Sequence, residues 1–153
     1  MDEQYQKLLG ATYKYLSFRQ RSEKEITDYL KKKKADKQIA QKIIESLKRQ
    51  KFLNDEEFAR AWVESRSKNK AWRVIKFELK QKGILDDLID KYESRIKNQG
   101  QDKKNALFLA QKRVERFKNE PFQKAREKLF RFLSSKGYDY DTIKEVVDKI
   151  LSK

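Results

Sequence analysis

Histidine and cysteine are both absent from this chain of 153 residues. Without histidine there is no imidazole general base and no imidazole metal ligand. Without cysteine there is no thiol nucleophile, no zinc knuckle and no disulfide, which suits a reducing compartment. Proline occurs once and glycine four times, too few for the turns of a β-sandwich or barrel. Gly10, Gly83, Gly100 and Gly137 stand alone, leaving no phosphate-cradling loop and no dinucleotide fingerprint. No apolar run is long enough to span a bilayer. The opening MDEQYQKLLGATY starts acidic and never becomes a signal-peptide core. A cytoplasmic protein with no membrane partner and no cofactor is expected.

What the chain has in excess is positive charge. Lysine and arginine number 39 against 24 acids, a formal charge of +15. Self-repulsion of that size penalises a compact monomer unless a polyanion or an acidic protein surface offsets it. Only 37% of residues are hydrophobic, so any core is thin, yet nine Phe, seven Tyr and two Trp argue for packing rather than disorder.

Three stretches repeat one pattern: DYLKKKKADKQIAQKIIESL, ELKQKGILDDLIDKYESRI and RFLSSKGYDYDTIKEVVDKIL. Aligned on Leu30, Leu79 and Leu133, they place Lys34, Gly83 and Gly137 where a helix must turn off. Glycine is the expected residue there, because it enters the left-handed region without a Cβ clash. Lys34 must therefore end its helix differently or under strain. The helices that follow carry apolar stripes at helical spacing: Ala40, Ile43, Ile44 and Leu47; Ile89, Tyr92 and Ile96; Ile143, Val146, Val147 and Ile150.

Two further helices precede each stretch. Ser22 and Glu25 fit a capping box, and Asn54 with Glu57 fits another, with Leu53 stapled to Phe58. Asp55, Glu56 and Glu57 suit the helix dipole; consecutive helical residues diverge by about 100°, so they are not read as a metal site. Asp139-x-Asp141 is not a calcium loop either, because the loop glycine is missing and Ile150 stands where its glutamate belongs. In the last third, Asp102 starts a helix predicted to run through Ala106, Leu109, Ala110, Val114 and Phe117, and Pro121 suits the first turn of the next. The fold expected is all-α: three tandem three-helix repeats, residues 1–53, 54–100 and 101–153, stacked into an elongated, curved array.

In their order, RQRSEKEI at 19–26, KFLNDEEFARAW at 51–62, KGI at 82–84 and KGYDYDTI at 136–143 resemble the RecX family. Lys34 stands where that family commonly has glycine. The resemblance covers nearly the whole chain. It implies a small, non-enzymatic regulator of the bacterial recombinase RecA that lies in the groove of the RecA–DNA filament. There it would restrain ATPase, strand-exchange and co-protease activity, as a monomer, and it would also bind single- and double-stranded DNA.

The residues themselves indicate where a polyanion could bind. Arg66, Lys68, Lys70, Arg73, Lys76, Lys80 and Lys82 face one acid, Glu78, within a short stretch. On a helix, Trp72, Ile75 and Leu79 form the buried stripe, and Arg73, Lys76 and Lys80 gather beside it. Phe77 could flank that row as a base-stacking ring, although packing against a neighbouring repeat is the better reading for it alone. A second basic region contains Lys112, Arg113, Arg116, Lys124 and Arg131, diluted by Glu115, Glu120 and Glu127. Arg19 and Arg21, just before the Ser22 cap, complete the set. Two other functions fit the charge: sequence-indifferent DNA binding, and a scaffold for an acidic protein unrelated to DNA. No enzyme is expected.

Overall fold

The predicted caps, glycine stops and stripes resolve into helices in a computed structural model that describes residues 2–152. Nine α-helices are present among the described residues: α1 (Asp2–Phe18), α2 (Glu23–Lys32), α3 (Lys37–Arg49), α4 (Asp55–Arg66), α5 (Trp72–Gln81), α6 (Asp86–Asn98), α7 (Gln101–Arg113), α8 (Phe122–Ser135) and α9 (Tyr140–Ile150). They form three successive groups of three. No strand occurs among the described residues, and none of their helices is long and apolar enough to cross a membrane.

Local chemistry sets the boundaries. Ser22 Oγ accepts from the Glu25 amide at 3.2 Å and the Glu25 carboxylate accepts from the Ser22 amide at 3.0 Å, completing the box at α2. Asn54 Oδ1 accepts from the Glu56 and Glu57 amides, at 3.0 and 3.2 Å. Pro121 lies one residue outside α8, as its cap, rather than within its first turn. The helix expected to run from Asp102 through Phe117 stops earlier, at Arg113, and tightens into a 3₁₀ turn over Val114–Phe117.

All three aligned leucines close their helices in the same way. The carbonyls of Leu30, Leu79 and Leu133 accept from the amides of Ala35, Ile84 and Tyr138, at 3.0, 3.1 and 3.4 Å. The residue before each donor is left-handed: Lys34 at φ 59°, Gly83 at φ 77° and Gly137 at φ 96°. Lys34 thus follows the glycine geometry at a strain of about 1–2 kcal/mol.

The structure also shows why only the later two positions need glycine. A Cβ on Gly83 would lie 2.6 Å from the Lys24 Cβ, and one on Gly137 would lie 2.3 Å from a Val74 methyl. Lys24 and Val74 are in the first turns of α2 and α5, the middle helices of the preceding groups. Lys34 belongs to the first group and is exposed. A second contact accompanies each glycine. Asp55 Oδ1 accepts from the Glu23 amide, and Asp102 Oδ1 from the Trp72 amide, both at 2.9 Å. Each later group therefore clasps the start of the preceding group's middle helix with one carboxylate and one glycine. Burial pushes both Asp55 and Asp102 above the ordinary aspartate range.

The helices divide between two compact units. One comprises residues 2–61 with Leu79–Leu85, the other Trp62–Glu78 with residues 86–152, so the division runs through α4 and α5. In the first unit, Leu8, Ile26, Leu30, Ile43, Leu47 and Leu53 form a core. In the second, Ala106, Ala110, Leu129, Leu133, Tyr138, Ile143, Val146 and Val147 close around Ala71. The expected stripe of Trp72, Ile75 and Leu79 is buried along α5.

Candidate functional site

Positive side chains fall into two classes: those held by carboxylates or carbonyls, and those left at the surface. The first unit holds a cluster that sequence spacing did not suggest. Arg19, Arg21 and Lys82 converge on the Glu25 carboxylate; Arg21 approaches to 3.8 Å and Lys82 to 3.2 Å, and Arg19 makes the shortest pair. Burial pushes Glu25 up, but hydrogen bonds from Arg19, the Ser22 amide and Lys82 outweigh it and leave the carboxyl below its ordinary value. Three cations on one anion leave local positive charge in excess. The Arg21 guanidinium also lies 3.9 Å from the centre of the Tyr15 ring, which stacks on Tyr29 with centroids 4.2 Å apart. A cavity of about 610 Å³ opens beside this stack, lined by Tyr15, Glu25, Asp28, Tyr29, Lys32 and Lys33.

In the second unit, two tryptophans share one arrangement. Trp62 donates its indole N–H to Glu78 at 3.0 Å, and Arg66 grips the same carboxylate with two nitrogens, at 3.0 and 2.6 Å. Trp72 donates to Glu93 at 3.1 Å, where Lys76 at 2.6 Å and Lys97 at 3.0 Å also bind. Arg73 donates to the Gly137 carbonyl. Arg66, Arg73 and Lys76 therefore help to hold the fold, and reversing their charge would disturb it as well as any ligand. Phe77 is 62% exposed, which overturns its expected packing: on α5 it sits outside the stripe of Trp72, Ile75 and Leu79 and points to solvent.

Of the remaining expected cations, Lys68, Lys80, Lys112, Arg116, Lys124 and Arg131 are exposed and Lys70 is half-buried. Lys112 lies 4.5 Å from the centre of the Phe108 ring, itself 54% exposed. Arg113 is drawn inward, 4.2 Å from the centre of the Phe132 ring, with its Nε buried and unpaired. The tyrosine stack in the first unit and a ring pair on α8 and α9 escaped sequence reasoning. Only the second left a trace in the sequence: Phe130 adjoins Arg131 within a basic stretch.

The Glu93 carboxyl is lowered to about 2, first by Lys76, then by Lys97 and the Trp72 indole. An unfolded glutamate takes its proton near 4.5, so this stability is complete above that pH and is lost as pH falls toward 2. Glu93→Gln is expected to lower unfolding free energy by about 1–2 kcal/mol at pH 7, solvent around Lys97 cutting the larger electrostatic gain. It should also flatten the loss of stability between pH 5 and 2. Urea titrations followed by tryptophan emission check both effects.

Comparison with known proteins places these features in a family. Three consecutive family models match: RecX, first three-helix domain, at residues 10–47; RecX, second three-helix domain, at 54–92; and RecX, third three-helix domain, at 101–147. The chain belongs to the RecX family. It is 37% identical over 134 residues to the Regulatory protein RecX of Clostridium botulinum (strain Alaska E43 / Type E3), covering 86% of this chain and 63% of the relative. It is 38% identical over 141 residues to that of Bacillus pumilus (strain SAFR-032), covering 91% and 52%. The chain thus spans about half to two-thirds of the length of these curated relatives. The crystal structure of RecX from Lactobacillus salivarius shares the fold at a TM-score of 0.74 and 24% identity, over 98% of each chain. A second crystal structure of regulatory protein RecX matches at 0.71 and 25% identity, over 95% of this chain and 73% of the other. The three-helix groups, the all-α fold and the regulatory family are thereby joined in one chain.

Proposed function

We propose that this RecX-family chain is a non-enzymatic modulator of a RecA-type recombinase, acting as a monomer in the cytoplasm. It binds the groove of the recombinase–DNA filament through exposed lysines and arginines and limits ATPase, strand-exchange and co-protease activity. The three consecutive RecX domain matches carry this reading. The charge of +15 supports it, because a filament on DNA is polyanionic. The repeat boundaries at 53/54 and 100/101 belong to the same proposal.

Titrating the protein into a recombinase ATPase assay on single-stranded DNA tests it. A falling rate at low stoichiometry is the expected outcome, and an unchanged rate overturns it. Lys68→Glu, Arg116→Glu and Lys124→Glu together reverse exposed charges without removing the contacts described above. The triple variant should need roughly tenfold more protein for the same effect, with helicity unchanged. Parent-like potency would show that these side chains are only solvated. A sequence-indifferent DNA binder would act alike on filaments of any recombinase and on naked duplex, with affinity collapsing as salt rises.

A further inference from the structure

The second unit exposes an aromatic ring, Tyr140, where helix stability asks for none, and sets it against the half-buried ring of Phe130. Tyr140 is the first residue of α9, directly after Asp139, whose carboxylate caps the helix by accepting from the Thr142 amide at 2.8 Å. That position tolerates nearly any side chain, yet it carries a phenol ring 64% exposed. The ring meets Phe130 of α8 with centroids 5.5 Å apart at 47°. Beside them lies a shallow concavity of about 330 Å³ lined by Gln123, Arg126, Glu127, Phe130 and Arg131. Arg126 is held there by Asp148 at 2.6 Å, its guanidinium 5.8 Å from the Phe130 ring centre. Asp148 is in turn shared with Lys144 at 3.1 Å, so its charge is spent within the protein. Arg131 stays exposed.

We propose that Tyr140, backed by Phe130 and flanked by Arg126 and Arg131, forms a stacking platform for unpaired bases of single-stranded nucleic acid. The platform deepens the proposed function and rests on its reading of the chain as a ligand of a recombinase–DNA filament, to which it adds a direct contact with single-stranded nucleic acid. Every base presents a flat π-face, and an exposed ring receives that face regardless of sequence. Paired bases hide their faces within the stack, so a duplex can use the arginines but not the rings. An acidic protein surface would likewise use the cations and leave the rings idle. Arg131 supplies the phosphate contact, and Arg126, fixed by Asp148, lies over the Phe130 ring and holds that backing ring in place.

Fluorescence anisotropy with a labelled oligo-dT 20-mer and a 20-base-pair duplex tests the platform, using the whole chain and no recombinase. Tyr140→Ala is expected to weaken oligo-dT binding roughly tenfold, the loss of about one stacked base. Duplex binding should move less than twofold, and Tyr140→Phe, which keeps the ring, should bind like the parent. Because Tyr140 is exposed, circular dichroism of both variants should match the parent.

Equal losses on the two nucleic acids, or no loss on either, overturn the proposal. So does a parent chain with no affinity for oligo-dT, or a loss confined to a polyglutamate probe, which would assign the surface to an acidic protein. The filament assay separates this inference from the proposed function. A chain that slows the recombinase while Tyr140→Ala binds oligo-dT normally keeps the function and loses the platform. The reverse pattern keeps the platform alone.

Discussion

Gly137→Ala is expected to destabilise the second unit by about 3–4 kcal/mol, from backbone strain and overpacking together. Gly137 sits at φ 96°, a conformation that alanine resists. The new methyl would also lie 2.3 Å from the Val74 side chain on α5. Neither partner can retreat freely. The Gly137 carbonyl accepts from Arg73, and the adjoining Lys136 carbonyl accepts from the Ala71 amide at 2.9 Å. Thermal unfolding followed by circular dichroism should show the loss as a drop in Tm. Adding Val74→Ala should restore part of it by opening space for the methyl. Gly100→Ala is the internal comparison. Its φ of 59° carries strain, but nothing lies within 4 Å of the added atom, so it should cost only about 1 kcal/mol. Equal losses at the two glycines would show that contact with Val74 is unimportant.

Leu79→Ala is the second large effect. Leu79 is fully buried, and its carbonyl also accepts from the amides of Lys82 and Ile84, both at 3.1 Å. Removing its branched end leaves a cavity at the closing turn of α5, where neighbouring backbone is fixed by those bonds. A loss of about 2–5 kcal/mol is expected, toward the upper end if the turn cannot collapse inward. Urea unfolding read by tryptophan emission measures it. A parent-like midpoint would mean that the stripe of Trp72, Ile75 and Leu79 does not carry the core.

The helices, their stripes and most of their caps were legible in the sequence because those signals are local. A capping box spans four residues, and an apolar stripe repeats every three or four. Asp55 and Asp102 show where locality ends. Their position favours the helix dipole, and nothing nearby reveals that each carboxylate reaches an amide about thirty residues earlier. The same holds for Glu25, Glu78 and Glu93. Glu78 and Glu93 draw arginine, lysine and indole partners from the helix before them, and Glu25 draws Lys82 from 57 residues away, converting cations that looked available into structural ones. Counting charge along the chain could not separate Arg66, which is committed to Glu78, from Lys68, which is exposed. The 3₁₀ turn at Val114–Phe117 was hidden for a different reason: its apolar spacing fits a continued α-helix, and only packing decides against that.

The clasp of one aspartate and one glycine anchors both junctions at the same point, the first turn of the preceding group's middle helix. A joint anchored at such recurring positions leaves the outer faces of the helices free to drift during evolution. Backbones can then stay superimposable while three residues in four are exchanged, which is the relation this chain has to the Lactobacillus salivarius structure.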